Sequence, residues 1–337
     1  MNKFGFWFMN ARPQALPQSV TPAIVATCLA FAERKDECSW ICAVVALLGI
    51  ICAHLCIDLL DDYFDYRNAG LESREKLARA GMRARIGKAQ YLADGQATLK
   101  QTFAVAAMFG AVALICGAVV FYFRGLPVLW FALAGAFLGF FYSAPPFKLC
   151  YHGLGEPLTG IMFGPLLMPG MCYAVCGELI PAVWWISVAI GLLVVNILFT
   201  HSIMDREPDI SVNKTTLAVL LSPGEKPRRG LLLAFSCIFT YLPYPLIAVA
   251  VFHTSISKFS LLVFLTLPIA IALTKLIYDF LYHPEREAKR RWWMGPMSQW
   301  KEIQEAGIEW FMIRWYLARN LISFFAMIMA VSLFIHY

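Results

Sequence analysis

Charge is scarce in this 337-residue chain: Asp, Glu, Lys and Arg make up 15% of it, against 60% apolar residues. A soluble domain carries about a quarter charged residues. A water-facing globule is therefore excluded, and the surplus apolar surface has to face lipid. Polar linkers, internal repeats and low-complexity tracts are also missing, which leaves one domain over residues 1–337. The ten cysteines contain no Cys-x-x-Cys. Cys38/Cys42, Cys52/Cys56 and Cys172/Cys176 each have helix-face spacing, and most lie in apolar runs. They read as buried thiols, not as a disulfide framework. The six histidines are scattered without metal-ligand spacing. The first apolar run follows residues 10–17 with no n-region and cleavage site around it, so a cleavable signal peptide is not expected.

What the chain does have is long apolar runs. A helix needs about 20 such residues to cross the hydrocarbon core. Candidate spans fall at 16–32, 39–60, 101–122, 127–143, 157–176, 182–203, 231–252, 259–281 and 319–336. The expected fold is all-α, a polytopic membrane protein of about nine transmembrane helices. The fourth run is short and is expected to form a hairpin with the fifth. Two further stretches, 73–98 and 299–315, read as helices that do not span; the second resembles an interfacial amphipathic helix with aromatic anchors.

The links between runs alternate. The short ones hold only Arg34, Lys35, Arg124 and Lys258. The long ones are basic: Arg67, Arg74, Lys76, Arg79, Arg83, Arg85 and Lys88 after the second run; Arg206, Lys214, Lys226, Arg228 and Arg229 after the sixth; Arg286, Lys289, Arg290, Arg291, Lys301 and Arg314 after the eighth. The positive-inside rule puts the long links and the N-terminus in the cytoplasm and Tyr337 outside. Because these cations are spread over loops beside membrane spans, the net charge of +6 is no nucleic-acid footprint.

Acids are concentrated at two places. The second run ends in Asp58, Asp61, Asp62 and Asp65, which share an arc of roughly 100° on a helix. Such a group repels itself unless a cation compensates. The sixth run ends similarly, with Asp205 and Asp209 followed by Asn213 and Lys214. Pro208 lies between the two acids, where the helix is expected to unwind into the loop. Both clusters fall on the same expected membrane face. Hard oxygen ligands in two clusters suit Mg²⁺, which binds through one or two carboxylates and substrate phosphates. A Mg²⁺–diphosphate complex is the natural guest. Arg67, Lys148, Arg206 and Lys214 lie near enough in sequence to neutralise further phosphate charge. The competing class is a transporter, which predicts charges at the midplane and broken helices there; the main midspan charge is Lys275. A lipid- or quinone-binding protein without catalysis is a third reading.

Paired aspartate motifs at the ends of the second and sixth of nine helices resemble the UbiA superfamily of intramembrane prenyltransferases. The likeness is greatest to its 1,4-dihydroxy-2-naphthoate polyprenyltransferase branch, which serves menaquinone synthesis. It rests on Arg12-Pro13-Gln-Ala-Leu16-Pro17 with Pro22, on Asp61-Asp62-Tyr63-Phe64-Asp65, and on Tyr142-Ser-Ala-Pro-Pro146-Phe147-Lys148. Gly153-Leu154-Gly155-Glu156, Phe163-Gly164-Pro165 and Asp205-x-x-x-Asp209 with Lys214-x-Thr216-Leu217 complete it. The good match covers residues 10–220. Departures are Asp61 for a usual Asn, His201 and Ser202 for two asparagines, Asn213 for a Gly, and Glu72 as the next acid after the glycine.

The resemblance implies nine helices around a central cavity in a bacterial inner membrane, and Mg²⁺-assisted ionisation of a polyprenyl diphosphate followed by attack from an aromatic acceptor. It implies metal binding by Asp61, Asp62 and Asp65 on one side and by Asp205 and Asp209 on the other. Lys148, Arg67 and Lys214 are candidates for diphosphate contacts, and Asp58 for a proton-sharing or structural role. Tyr142, Phe141 and Tyr63 could face an allylic cation, and Arg12 could hold an acidic acceptor. A UbiA-type enzyme with another acceptor is the alternative.

Overall fold

The computed structural model describes residues 3–79, 89–211 and 213–335. Arg83, Arg85, Lys88 and Tyr337 are not among them, nor are the side chains of residues 68–79, which include Arg74, Lys76, Arg79 and Glu72.

Among the described residues the fold is all-α, with one isolated bridge between His152 and Thr215. Seven helices are long and apolar enough to cross a membrane. They include α2 (Trp40–Arg79, apolar over Trp40–Arg67), α3 (Leu99–Arg124), α5 (Gly155–Cys176), α6 (Ala182–Met204), α7 (Arg229–His253), α8 (Lys258–Tyr282) and α9 (Glu309–Ser332). One shorter apolar helix, α4 (Leu126–Phe141, 16 residues), and the 17-residue helix α1 (Pro17–Glu33) stand where the sequence predicts the other two spans. α4 packs on α5, as a hairpin requires.

α6 is the hub. Its apolar window is 72% buried, whereas that of α3 is only 17% buried. α6 contacts α1, α5, α7 and α9. α3 leans on α2 and leaves Leu114, Ile115, Tyr122 and Phe123 exposed. In a water-soluble protein that patch would be a liability; here it is the surface lipid must cover. α5 reaches α6 almost backbone to backbone, through Gly160 and Gly164 on one side and Gly191 on the other. A Cβ on Gly164 would stand 2.4 Å from the Ser187 carbonyl oxygen. Small residues four apart allow membrane helices this approach where no hydrophobic drive operates.

Three spans are irregular. α5 contains a π turn over Met162–Leu166, around Pro165. α7 breaks at Leu242 before Pro243, whose ring cannot continue a regular helix. α8 starts as a 3-10 segment, Lys258–Thr266.

Two expected non-spanning helices differ from the sequence reading. The stretch 299–315 is not one amphipathic helix. It is a short helix Trp300–Glu305, a turn at Gly307 (φ 66), and then the start of α9 at Glu309, ten residues earlier than the expected span. The left-handed turn at Gly307 ends the first helix and re-aims the chain. Of the stretch 73–98, residues 73–79 prolong α2, and a one-turn helix, Gln90–Ala93, packs with Ala97 on Trp7. Thr98 then caps α3 through a reciprocal bond with Gln101.

Among the described residues, the segments after α4 and α6 and the N-terminal segment meet at one end of the bundle, where Cys150, Lys214 and Arg12 line one cavity. The opposite end is held by short links. There Arg34 pairs with Glu178 at 3.0 Å, and Arg124 donates to the Ala174 carbonyl at 3.0 Å.

Candidate active site

The last turns of α2 carry the first acidic group, and helix phase brings it to one face as the sequence predicts. Asp61, Asp62 and Asp65 are buried and the Asp58 side chain is 15% exposed. Arg12 compensates them. Its Nη2 lies 3.3 Å from Asp58, 3.2 Å from Asp61 and 3.6 Å from Asp62, and also donates to the Asp58 carbonyl at 2.8 Å. Burial alone would lower the Arg12 pKa, but the charges of Asp58, Asp62 and Asp61 raise it well above the ordinary value. Arg12 itself holds a left-handed backbone (φ 58). The expectation that Arg12 holds an acidic acceptor therefore meets a guanidinium already shared among three aspartates.

The second group sits where α6 stops. Asp205 caps the helix, and the short helix Arg206–Ser211 carries Asp209, whose backbone N–H donates to the Asp205 carbonyl at 2.8 Å. Both carboxylates are buried, and His201 Nε2 stands 3.1 Å from Asp205 Oδ2. Arg206, expected near the guest, instead turns to the following loop and donates to the Ser222 carbonyl at 2.8 Å. Asn213 occupies the family's glycine position in the left-handed region (φ 55). Asn is among the few non-Gly residues that visit it routinely, so the turn survives the exchange.

The α4–α5 link joins the two groups. Ser143 Oγ donates to Asp61 Oδ1, and the Tyr151 hydroxyl donates to Asp65 Oδ1 at 2.6 Å. Gly153 N–H donates to the Thr215 carbonyl at 2.8 Å. Glu156, buried at the start of α5, accepts from Ser202 Oγ and from Leu217 N–H. Lys214 Nζ lies 5.8 Å from the Tyr151 ring centre. Ser143 and Glu156 fall within the two motifs that the sequence reading singles out, without a role there; Tyr151 lies between those motifs and carries no sequence signal.

These elements enclose a cavity of about 760 Å³, within the range of small-molecule sites. Arg12, Asp58, Asp61, Tyr142, His201 and Lys214 are in its wall. Asp62, Asp65, Asp205 and Asp209 are buried and do not line it, but each is within five residues along the chain of a wall residue: Asp61 for the first two, Ser202 for Asp205 and Lys214 for Asp209. The π turn brings Met162 and Phe163 into the wall, and Phe163 lies 5.0 Å from the ring of His54. The His54 Nδ1 is 2.6 Å from Ser19 Oγ and its Nε2 is 3.6 Å from Asp58. Sequence reasoning missed His54, because a lone histidine in an apolar run carries no signal.

Other expected residues stand apart from the wall. Arg67 is exposed, 3.5 Å from the Tyr63 hydroxyl, and Lys148 is half-buried with a left-handed backbone (φ 43). Phe141 packs on Phe137 and Phe147, and Tyr63 on Phe64 and Phe103. Lys275 is on an exposed face of α8.

Among the described residues no three His, Cys, Asp or Glu side chains converge into a ready-made metal cage. Mg²⁺ does not need one: it keeps waters and joins one or two carboxylates to phosphate oxygens. Two pairs of buried aspartates beside a cavity fit that mode.

The model of the UbiA prenyltransferase family matches residues 19–300. The chain belongs to the UbiA prenyltransferase family. It is therefore a membrane enzyme of prenyl transfer. It is similar to the 1,4-dihydroxy-2-naphthoate octaprenyltransferase of Mycobacterium tuberculosis, with 25% identity over 72% of this chain and 79% of that protein. The 2-carboxy-1,4-naphthoquinone phytyltransferase of Synechocystis is 31% identical over 44% of this chain and 47% of its own length. The apo structure of a UbiA homologue from Aeropyrum pernix has the same fold: TM-score 0.63, 16% identity, 95% of this chain and 97% of that one. A UbiA homologue from Archaeoglobus fulgidus bound to GPP and Mg²⁺ gives TM-score 0.57 and 17% identity over 96% and 99%.

Proposed function

We propose that this UbiA-family enzyme transfers a polyprenyl group from a polyprenyl diphosphate to 1,4-dihydroxy-2-naphthoate, with Mg²⁺, in menaquinone synthesis, releasing diphosphate from the donor and the ring carboxylate as CO₂. The whole chain, residues 1–337, works as one unit in a bacterial inner membrane. Its N-terminus and acidic loops lie on the cytoplasmic side, in keeping with the basic long links.

The observation that carries the proposal is the α4–α5 link, which bonds to Asp65 at one acidic helix end and to Thr215 beside the other; Cys150, Glu156 and Thr216, in or next to these segments, line one cavity. Asp62 and Asp65, with Asp61 nearby, would hold one Mg²⁺, and Asp205 and Asp209 a second. The bound ions supply charge stabilisation to the departing diphosphate. Lys214, in the cavity wall, meets the phosphate charge that remains, with Lys148 and Arg67 outside it as further cations. Asp58, shared between Arg12 and His54, anchors the first group. Tyr142 turns an aromatic face to the allylic cation, and the surrounding apolar helices exclude water from it. The prenyl chain stays in lipid, since each buried CH₂ contributes about 0.8 kcal/mol. The names of the relatives support the naphthoate acceptor.

The test is turnover of purified protein with Mg²⁺, a polyprenyl diphosphate and a panel of aromatic acceptors, read by product mass. Asp62→Ala and Asp205→Ala should each abolish turnover in folded protein. Full activity in either variant, or in EDTA, overturns the assignment.

A further inference from the structure

Among the described residues the cavity wall contains three permanent cations: Arg12, Lys214 and Arg319. Arg12 is spent on Asp58, Asp61 and Asp62. Lys214 stands beside Tyr151 between the acidic groups. Arg319 differs from both. Its Nη2 donates to the Pro296 carbonyl at 3.0 Å and to Asn320 Oδ1 at 3.1 Å, both neutral, and no carboxylate of the described residues lies within 4.0 Å of it. The guanidinium is fixed all the same. It rests 4.4 Å from the Tyr316 ring centre, and Asn320 is itself tied to the Met294 carbonyl at 2.8 Å. A positioned cation inside a membrane protein, facing a cavity without its own counter-ion, is costly and calls for an anion.

The neighbouring Arg314 shows the structural alternative. It buries its guanidinium against the Leu276 and Trp310 carbonyls and over the Phe280 ring, outside the cavity wall. Among the described residues, only Nη2 of the Arg319 guanidinium makes a hydrogen bond with the protein.

The anion is not the diphosphate. Phe311 on α9 packs on His201, beside Asp205. Arg319 lies eight residues further along α9, about 12 Å of helix rise from the turn that packs beside Asp205. The wall around it is aromatic and polar, with Trp315, Tyr316 and Gln299. A guanidinium fork beside aromatic rings suits a planar aromatic carboxylate.

We propose that Arg319 binds the carboxylate of the aromatic acceptor and so selects acidic over neutral ring substrates. This rests on the prenyl-transfer reading above. The test is binding, because a neutral analogue need not react. The affinities of 1,4-dihydroxy-2-naphthoate and its 2-carboxamide are measured by calorimetry on the full chain and on Arg319→Gln and Arg319→Lys. Wild type should prefer the acid by at least about tenfold, the loss expected for one charge-assisted bond. Arg319→Gln should remove that preference and Arg319→Lys restore part of it, with KM for the polyprenyl diphosphate unchanged. A glutamine variant that still prefers the acid, or whose donor KM rises instead, overturns the proposal. Should that variant not fold, equal wild-type affinity for acid and amide does the same. If wild type prenylates aromatic acceptors yet binds acid and amide alike, this inference falls while prenyl transfer stands. If it prenylates no aromatic acceptor, both fall.

Discussion

Tyr151 donates a 2.6 Å hydrogen bond to Asp65, on a helix that precedes it, 86 positions earlier in the chain. Burial, and after it the charge of Asp65, hold the phenol pKa far above its ordinary value of 10. The hydroxyl therefore stays protonated and remains a donor throughout the working pH range. It orients the carboxylate without competing for its charge.

Removing that bond tests whether Asp65 works as a metal ligand. Partners that orient ligating groups typically cost 10–100-fold in metal affinity or activity when lost. Tyr151→Phe should raise the half-saturating Mg²⁺ concentration by about tenfold or more, with the helical circular dichroism spectrum intact. An unchanged Mg²⁺ titration would place Tyr151 in a purely structural role.

Arg12 makes a different kind of contribution. It is the cation that lets three aspartates share one helix face. Breaking a buried ion pair from one side costs about 3–5 kcal/mol, because the remaining charge is left uncompensated. Arg12→Gln should lower the melting temperature in detergent clearly and reduce turnover, and added Mg²⁺ should recover part of the melting temperature. A variant with wild-type melting behaviour would show that the aspartates are compensated elsewhere.

Helix phase made Asp58, Asp61, Asp62 and Asp65 legible in the sequence, and the alternation of short and basic links put them on the same end as Asp205 and Asp209. Both are local or one-dimensional signals. The partners of those acids were not legible. Ser143 and Tyr151 lie in a link without periodicity, and their role appears only when α4 and α5 bring it under α2. Arg12 and Arg206 read as free cations because pairing is a tertiary property. Arg314 and Arg319 are five apart on one helix, and only the cavity separates a buried structural guanidinium from one with open donors. The start of α9 was misplaced because Glu309, Arg314 and Arg319 dilute the apolar run, although Arg314 is buried at 3% exposure.

The crossing of α5 and α6 permits a packing test at the back of the cavity wall's π turn. At Gly164 a methyl group would meet the Ser187 carbonyl at 2.4 Å and the Gly191 Cα at 2.8 Å. Both are backbone, so neither can swing aside. Overpacking costs about 1–3 kcal/mol, and separating these helices would also shift the π turn that carries Phe163. Gly164→Ala should lower the melting temperature and turnover together. Gly117→Ala serves as control, since nothing lies within 4 Å of a Cβ there, and it should change neither.

Cys150 gives a pH-dependent readout on the buried link itself. Burial, and then the charge of Asp61, push its thiol up to about 12 from its ordinary value of 9.0. A group whose pKa is raised by folding favours the folded state below its unfolded pKa. That contribution is full below about pH 9 and falls as pH climbs towards 12. The thiolate is the reactive species, so at pH 8 iodoacetamide should label Cys150 far more slowly than a thiol in the denatured chain. Because burial is the larger cause, Asp61→Asn should speed labelling only modestly, whereas denaturant should speed it strongly. Rapid labelling of native protein at pH 8, located by peptide mass, would mean that the link between the acidic groups opens to water.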